Sequence, residues 1–255
     1  MAVKRSTVGS RILAVLEGIA VRQPIGVSDL ARVLNDNKSA VQRAIMTLAD
    51  EGWIRPAPGK QTTWELTAHI HSVAQHVKGG HHDDLRRHAR SALELLRDQT
   101  GESVLLNVPE DGKFIVIDVL ESRHYLRTAP PIGMIVSSRG SATSRAILPF
   151  MTGEQQIAFL GGPPEPALIE DFAATVARGY VISRGEVVAG STNIAAPIFD
   201  KNSRPIAAVL ISAPSDRTTV ENYERLGALV ASTARKLSRG PTPHVSFSRA
   251  ENASA

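Results

Sequence analysis

Between residues 38 and 51 the side chains Ala40, Val41, Ala44, Ile45 and Leu48 recur at a spacing only a helix can align. At about 100° per residue they share one apolar arc of about 140°, with Ser39, Gln42, Arg43 and Met46 on the opposite side. A helix so divided must bury one face and show the other. Its neighbours supply the cover. Residues 8–20 carry Ile12, Leu13, Val15, Leu16, Ile19 and Ala20 at helical spacing, with Ser6 or Thr7 as N-cap and Pro24 and Gly26 closing the helix. A short helix follows over residues 27–34, with Ser28 expected as N-cap and Asp29 in its first turn. Asn35-Asp36-Asn37 forms the turn into the third helix, which Gly52 stops. Residues 53–55 and 62–66 are short strands across a turn rich in Pro and Gly, a hairpin pattern.

Three helices and a hairpin in this order make a winged helix-turn-helix. The exposed side of the third helix offers a hydroxyl, an amide and a guanidinium, which suit base edges and phosphates in a major groove. Any solvated amphipathic helix also turns polar groups outward. The short preceding helix, the three-residue turn and a basic wing tip at Lys60 favour the DNA reading.

Charge agrees with that placement. The chain has 255 residues and a net charge of +4; residues 1–66 hold nine Lys/Arg against six acids, and residues 101–255 are neutral. The excess is small enough to arise by chance, but it lies where a polyanion would be sought. The length allows one large domain or two small ones. With no cysteine, disulfides and thiolate zinc sites are excluded. No apolar stretch has the length of a membrane span or signal segment, so the expectation is a cytoplasmic protein without a membrane partner.

Residues 67–100 contain six of the eight histidines, around a Gly79-Gly80 break. Beyond it Leu85, Ala89, Ala92, Leu93, Leu95 and Leu96 mark a helix ending near Gly101. From residue 102 helical and strand patterns mix. Residues 104–108 and 114–120 form a hairpin across a turn at residues 109–113, and residues 193–199 and 205–212 form another across residues 200–204. Helices are expected at 141–151, 154–160, 166–178 and 220–237, a strand at 180–183, and a frayed tail from Arg239.

Over residues 8–238 the chain resembles the IclR family of bacterial transcriptional regulators. The matching residues are Ser10-Arg11-Ile12-Leu13-Ala14-Val15-Leu16, Ser28-Asp29-Leu30-Ala31, Lys38-Ser39-Ala40-Val41-Gln42-Arg43 and Leu48-Ala49-Asp50-Glu51-Gly52. Later ones are Gly133-Met134-Ile135-Val136, Ala142-Thr143-Ser144-Arg145-Ala146-Ile147-Leu148, Arg178-Gly179-Tyr180-Val181-Ile182-Ser183, the segment from Gly190 to Asp200, and Ala207-Ala208-Val209-Leu210-Ile211-Ser212. No one segment is diagnostic; the resemblance rests on their shared order over more than 200 residues. The chain departs from the family's usual Pro, His, Gly and Lys at Ser137, Arg139, Ser144 and Arg145.

The resemblance implies an α+β chain: a winged helix-turn-helix at residues 1–67, a helical linker at 68–84 that helps dimerise, a GAF-like α/β effector-binding domain at 85–240 and a flexible tail at 241–255. It implies a regulator, more as repressor, binding double-stranded operator DNA as a homodimer or dimer of dimers. Ser39, Gln42 and Arg43 are then expected in the major groove, with Arg5, Arg11, Lys38 and Lys60 on phosphates. An effector acting through the linker is expected near Met134, Ser141, Ala142, Glu186, Ala195 and Ser212. The helix start at Ser141-Ala142 suits a carboxylate, so an organic or aromatic acid is expected. Each of these positions also fits ordinary packing. Small residues, backbone N–H groups and one or two hydroxyls must do the recognition.

Catalytic motifs are missing: the sequence has no GxG, HExxH, GxSxG or Ser-x-x-Lys. No catalytic residue, cofactor or metal site is expected. The clustered histidines include no pair at helical ligand spacing and suit a solvated linker. The competing reading is a metabolite-binding protein or enzyme whose winged helix serves protein contacts.

Overall fold

Ser6 opens the first helix, α1 (Thr7–Arg22), by accepting a hydrogen bond from the Gly9 N–H, and Gln23 ends it ahead of Pro24. The computed structural model describes residues 6–59, 62–75 and 82–245, and its contacts divide the chain into two units, Met1–Gly80 and His81–Ala255. In the first unit α2 (Val27–Leu34) and α3 (Lys38–Asp50) follow α1, then the antiparallel strands β1 (Ile54–Pro56) and β2 (Trp64–Leu66), and α4 (His69–Gln75). The expected order of three helices and a hairpin is present.

One expected cap is corrected. Leu30 N–H donates to the Gly26 carbonyl at 3.0 Å, so α2 begins at Val27 with Gly26 as its cap, and Ser28 lies inside the first turn. Asn35 adopts the left-handed conformation that ends α2, and the Asn37 side chain caps α3. Val15, Ile19, Leu30, Val41, Ile45, Leu48, Ile54 and Trp64 close one core, with the whole apolar arc of α3 buried in it. His69 sets its ring edge-on to Trp53 at 4.6 Å, so this histidine is packed as well as solvated.

The second unit begins with α5 (Asp83–Thr100) and holds a six-stranded antiparallel sheet in the order β5-β4-β3-β8-β7-β6. The strands are β3 (Ser103–Glu110), β4 (Lys113–Leu120), β5 (Ile135–Val136), β6 (Val181–Arg184), β7 (Ser191–Phe199) and β8 (Pro205–Pro214). Asp111 and Gly112, both at positive φ, make the two-residue turn between β3 and β4. The sheet is apolar on both faces. Val104, Leu106, Val108, Ile194, Ile198, Val209 and Ile211 pack against α5 and α9 (Val220–Leu237). The alternate residues Leu105, Phe114, Ala195, Ala208 and Leu210 pack against α6 (Ala142–Ile147), α7 (Gly153–Leu160) and α8 (Pro166–Arg178).

Two further expectations are adjusted. The helix expected over 141–151 is six residues of α-helix followed by a 3-10 turn at Leu148–Phe150, because Pro149 has no N–H to extend the ladder. Beyond α9 the chain stays attached before it becomes irregular: Arg239 N–H donates to the Phe199 carbonyl at 2.9 Å, and Gly240 lies too close to the Asp200 carbonyl to admit a side chain.

The burial of α3 gives a direct test. Ile45→Ala should lower the unfolding free energy of the first unit by about 2–4 kcal/mol in urea titration, since Ile45 is fully buried. Gln42→Ala, on the exposed face, should change it by less than about 0.5 kcal/mol.

Candidate functional site

Two surfaces carry the residues singled out above. On the first unit, Lys38, Ser39, Gln42, Arg43 and Met46 all lie on the exposed side of α3. Their partners differ. The Ser39 hydroxyl donates to the Asn37 cap at 2.7 Å, and Thr47, exposed on the same side, donates to the Arg43 carbonyl. Three arginines of this unit are paired: Arg11 with Asp36 at 2.5 Å, Arg32 with Asp29, and Arg55 with Glu65. Among the described residues Lys38 and Arg43 join no ion pair.

Arg11 therefore braces α1 against the turn before α3 instead of pointing a lone cation outward. Hydrogen bonds from Arg11 and from the Asn37 N–H hold the Asp36 carboxyl below its usual range. Arg5 and Lys60 lie outside the described residues.

The second surface is a cavity of about 500 Å³ on the α6 side of the sheet. Register explains its floor. Asn193 pairs across the ladder with Ser212, and Leu105 with Leu210, so alternate residues of β7, β8 and β3 face the same way. Asn107 follows Leu105 on that face, beside a bulge where β4 carries the extra residue Ile117. The segment after β4 forms the rim: it returns to the β4 edge through Val116 N–H to the Met134 carbonyl at 3.0 Å, then continues as β5. Arg217 ties this rim down, with both ends of its guanidinium on the buried Glu102 at 2.8 Å and one also on the Leu126 carbonyl at 3.0 Å. Opposite, the loop between β6 and β7 supplies Val187 and Val188.

Four of the six expected effector residues, Met134, Ser141, Ala142 and Ser212, line this cavity. Ala195 and Glu186 are not part of its lining. Ala195 has the right parity but is sealed in the core, fully buried. Glu186 turns away to Arg145 at 2.7 Å and Ser183 at 2.5 Å. Ser141 lines the wall but is committed: its hydroxyl caps the Ser144 N–H and donates to the Ser137 carbonyl at 2.6 Å. Of the helix-start N–H donors, this occupies that of Ser144. The cavity's cation is Arg127, which also pairs with Glu121 at 2.7 Å. Asn107, Arg127, Thr143 and Asn193 were not singled out in the sequence, and the period-two pattern that puts Asn107 beside Leu105 was the available signal.

The four departures from the family pattern are all bonded. Ser137 and Arg139 close a tight turn, with Arg139 reaching the Leu160 carbonyl at 2.9 Å, and the Ser144 hydroxyl donates to the Ser141 carbonyl at 2.9 Å. Arg145 grips Asp171 with two nitrogens and Glu186 with a third. Burial works against the Arg145 charge, but these two carboxylates outweigh it and raise its pKa.

Comparison with known proteins gives the same picture. Residues 78–239 match the family model described as bacterial transcriptional regulator IclR C-terminal. The chain is 28% identical over 242 residues to the transcriptional repressor IclR of Escherichia coli strain K12, covering 89% of this chain and 87% of that one. It is 27% identical over 242 residues to the acetate operon repressor of Salmonella typhimurium, with the same coverage. A solved IclR family transcriptional regulator from Brucella abortus shares the fold at a TM-score of 0.72 and 20% identity, over 92% of each chain. The curated relatives are named as regulators of transcription, not as enzymes.

The three-way grip of Arg145 makes lysine a poor substitute, because an ammonium cannot hold two carboxylates in one planar fork. Arg145→Lys should cost about 1–2 kcal/mol of stability by thermal or urea unfolding despite keeping the charge.

Proposed function

The chain belongs to the IclR family of bacterial transcriptional regulators, and from that premise we propose that it is a cytoplasmic repressor that reads a palindromic operator as a homodimer or dimer of dimers. Gln42 and Arg43 take the major groove, Ser39 assists from the cap, and Lys38, Arg5 and Lys60 hold phosphates. Arg11 joins them only by sharing its guanidinium with Asp36. The observation that carries this reading is the state of α3: Arg43 and Lys38 stay exposed and unpaired among the described residues, as Arg22 does at the end of α1, while Arg11, Arg32 and Arg55 are neutralised in pairs. Cations left unpaired on a helix of this topology are available to a polyanion.

A small metabolite in the cavity of the second unit alters operator affinity. Its apolar walls and its single lining cation, Arg127, favour an organic or aromatic acid whose carboxylate reaches the guanidinium.

Arg43→Ala should weaken binding to DNA from upstream of the chain's own gene by about 1–3 kcal/mol in fluorescence anisotropy, the range of one bidentate base contact. Unchanged affinity would remove Arg43 from the reading surface. Thermal-shift screening of the full chain against organic and aromatic acids tests the second part, since a ligand bound only by the folded state must raise Tm.

A further inference from the structure

We propose that Asn107 is the specificity-determining residue of the cavity and that it selects a ligand presenting a hydrogen-bond donor, a hydroxyl or N–H, on an otherwise apolar body. The proposal rests on the cavity being the effector site. Asn107 lines the cavity floor with only 1% of its surface exposed. Its Nδ2 donates to the Thr143 Oγ1 at 2.6 Å, and Thr143 is itself 1% exposed. Its Oδ1 is buried and has no hydrogen-bond partner among the described residues.

An unpaired buried carbonyl is costly, and nothing in the packing requires one here. The neighbours of Asn107 along β3, Leu106 and Val108, are apolar, as is Leu105 beside it on the floor. Two features make the oxygen a reader. The bulge opposite Asn107 fixes where its backbone sits, and the bond to Thr143 on α6 fixes which way its amide faces. A donor on the ligand completes the amide. An acceptor of the same size meets the oxygen's lone pairs, and an apolar group leaves it unpaired while filling the space around it. The reverse amide orientation would turn Nδ2 to the cavity and select an acceptor, which the following test separates.

Equilibrium dialysis of the full chain against three probes of one shape measures the choice: 2-naphthoic acids that each keep a carboxylate for Arg127 and carry at position 6 a hydroxyl (the naphthol), a methoxy group (the methoxy compound) or a methyl group (the methyl compound). The naphthol should bind at least about fivefold more tightly than either of the others, the worth of one net hydrogen bond. In the double variant Asn107→Leu with Thr143→Val, which replaces both partners by apolar groups, that preference should vanish while the methyl compound still binds. Asn107→Ala, which withdraws the oxygen without adding bulk, should give the same loss if the double variant does not fold. Equal binding of the three by the unaltered chain, a preference for the methoxy compound, or a naphthol preference that survives either variant overturns the proposal. Binding of none of the three contradicts the cavity as a ligand site, and the proposal falls with that reading.

Discussion

Strict alternation on the central strands is the constraint from which the second unit follows. On β3, β7 and β8 nearly every position is buried, so both faces of the sheet need cover. Apolar area removed from water stabilises at roughly 25 cal/mol per Å², and an uncovered face of this size could not persist in water. Two long helices, α5 and α9, cover one face. The other receives shorter pieces, since Pro149 breaks α6 after six residues and the rim crosses only part of the sheet. What they leave uncovered is the cavity. It is thus a consequence of unequal cover on a sheet that is apolar on both sides, with Asn107 and Asn193 as amides on its floor.

Polar pairs hold the rim and walls in place. Arg217 on Glu102 and Arg145 on Asp171 join segments 115 and 26 residues apart, and each guanidinium uses several nitrogens at once. Such forks fix geometry more than they add stability, because burying the charges costs much of what the attraction returns. The first unit uses the same device on its surface, where Arg11 on Asp36 sets the turn ahead of α3. The residues left without such partners are then the informative ones.

Much of the fold was legible because period reports burial. The five-residue arc of α3, the two hairpins and the long last helix were placed from spacing alone, and β3 to β4 turned where Asp111-Gly112 requires. Ser28 misled because a good capping residue followed a glycine that could serve as well. β5 was missed because two residues on a sheet edge carry no readable period. The site was legible in part. Met134, Ser141, Ala142 and Ser212 came from the resemblance and do line the cavity. Ala195 and Glu186 do not line it, for separate reasons: one lies beneath α6, and the other is bound by Arg145. Asn107 and Thr143 lie 36 residues apart and meet only through the packing of α6 on the sheet, which no local pattern encodes.

Two methionines allow the central claim, that the outer side of α3 meets DNA, to be tested within one molecule. Met46 is 45% exposed among the α3 residues assigned to the groove, and Met134 is 38% exposed at the cavity. Oxidation by hydroxyl radicals, read by mass spectrometry on the full chain with and without saturating DNA from upstream of its own gene, compares them directly. Slower oxidation of Met46 with Met134 unchanged is the predicted result. Met46 oxidising at the same rate in the DNA complex as in the free chain would contradict it.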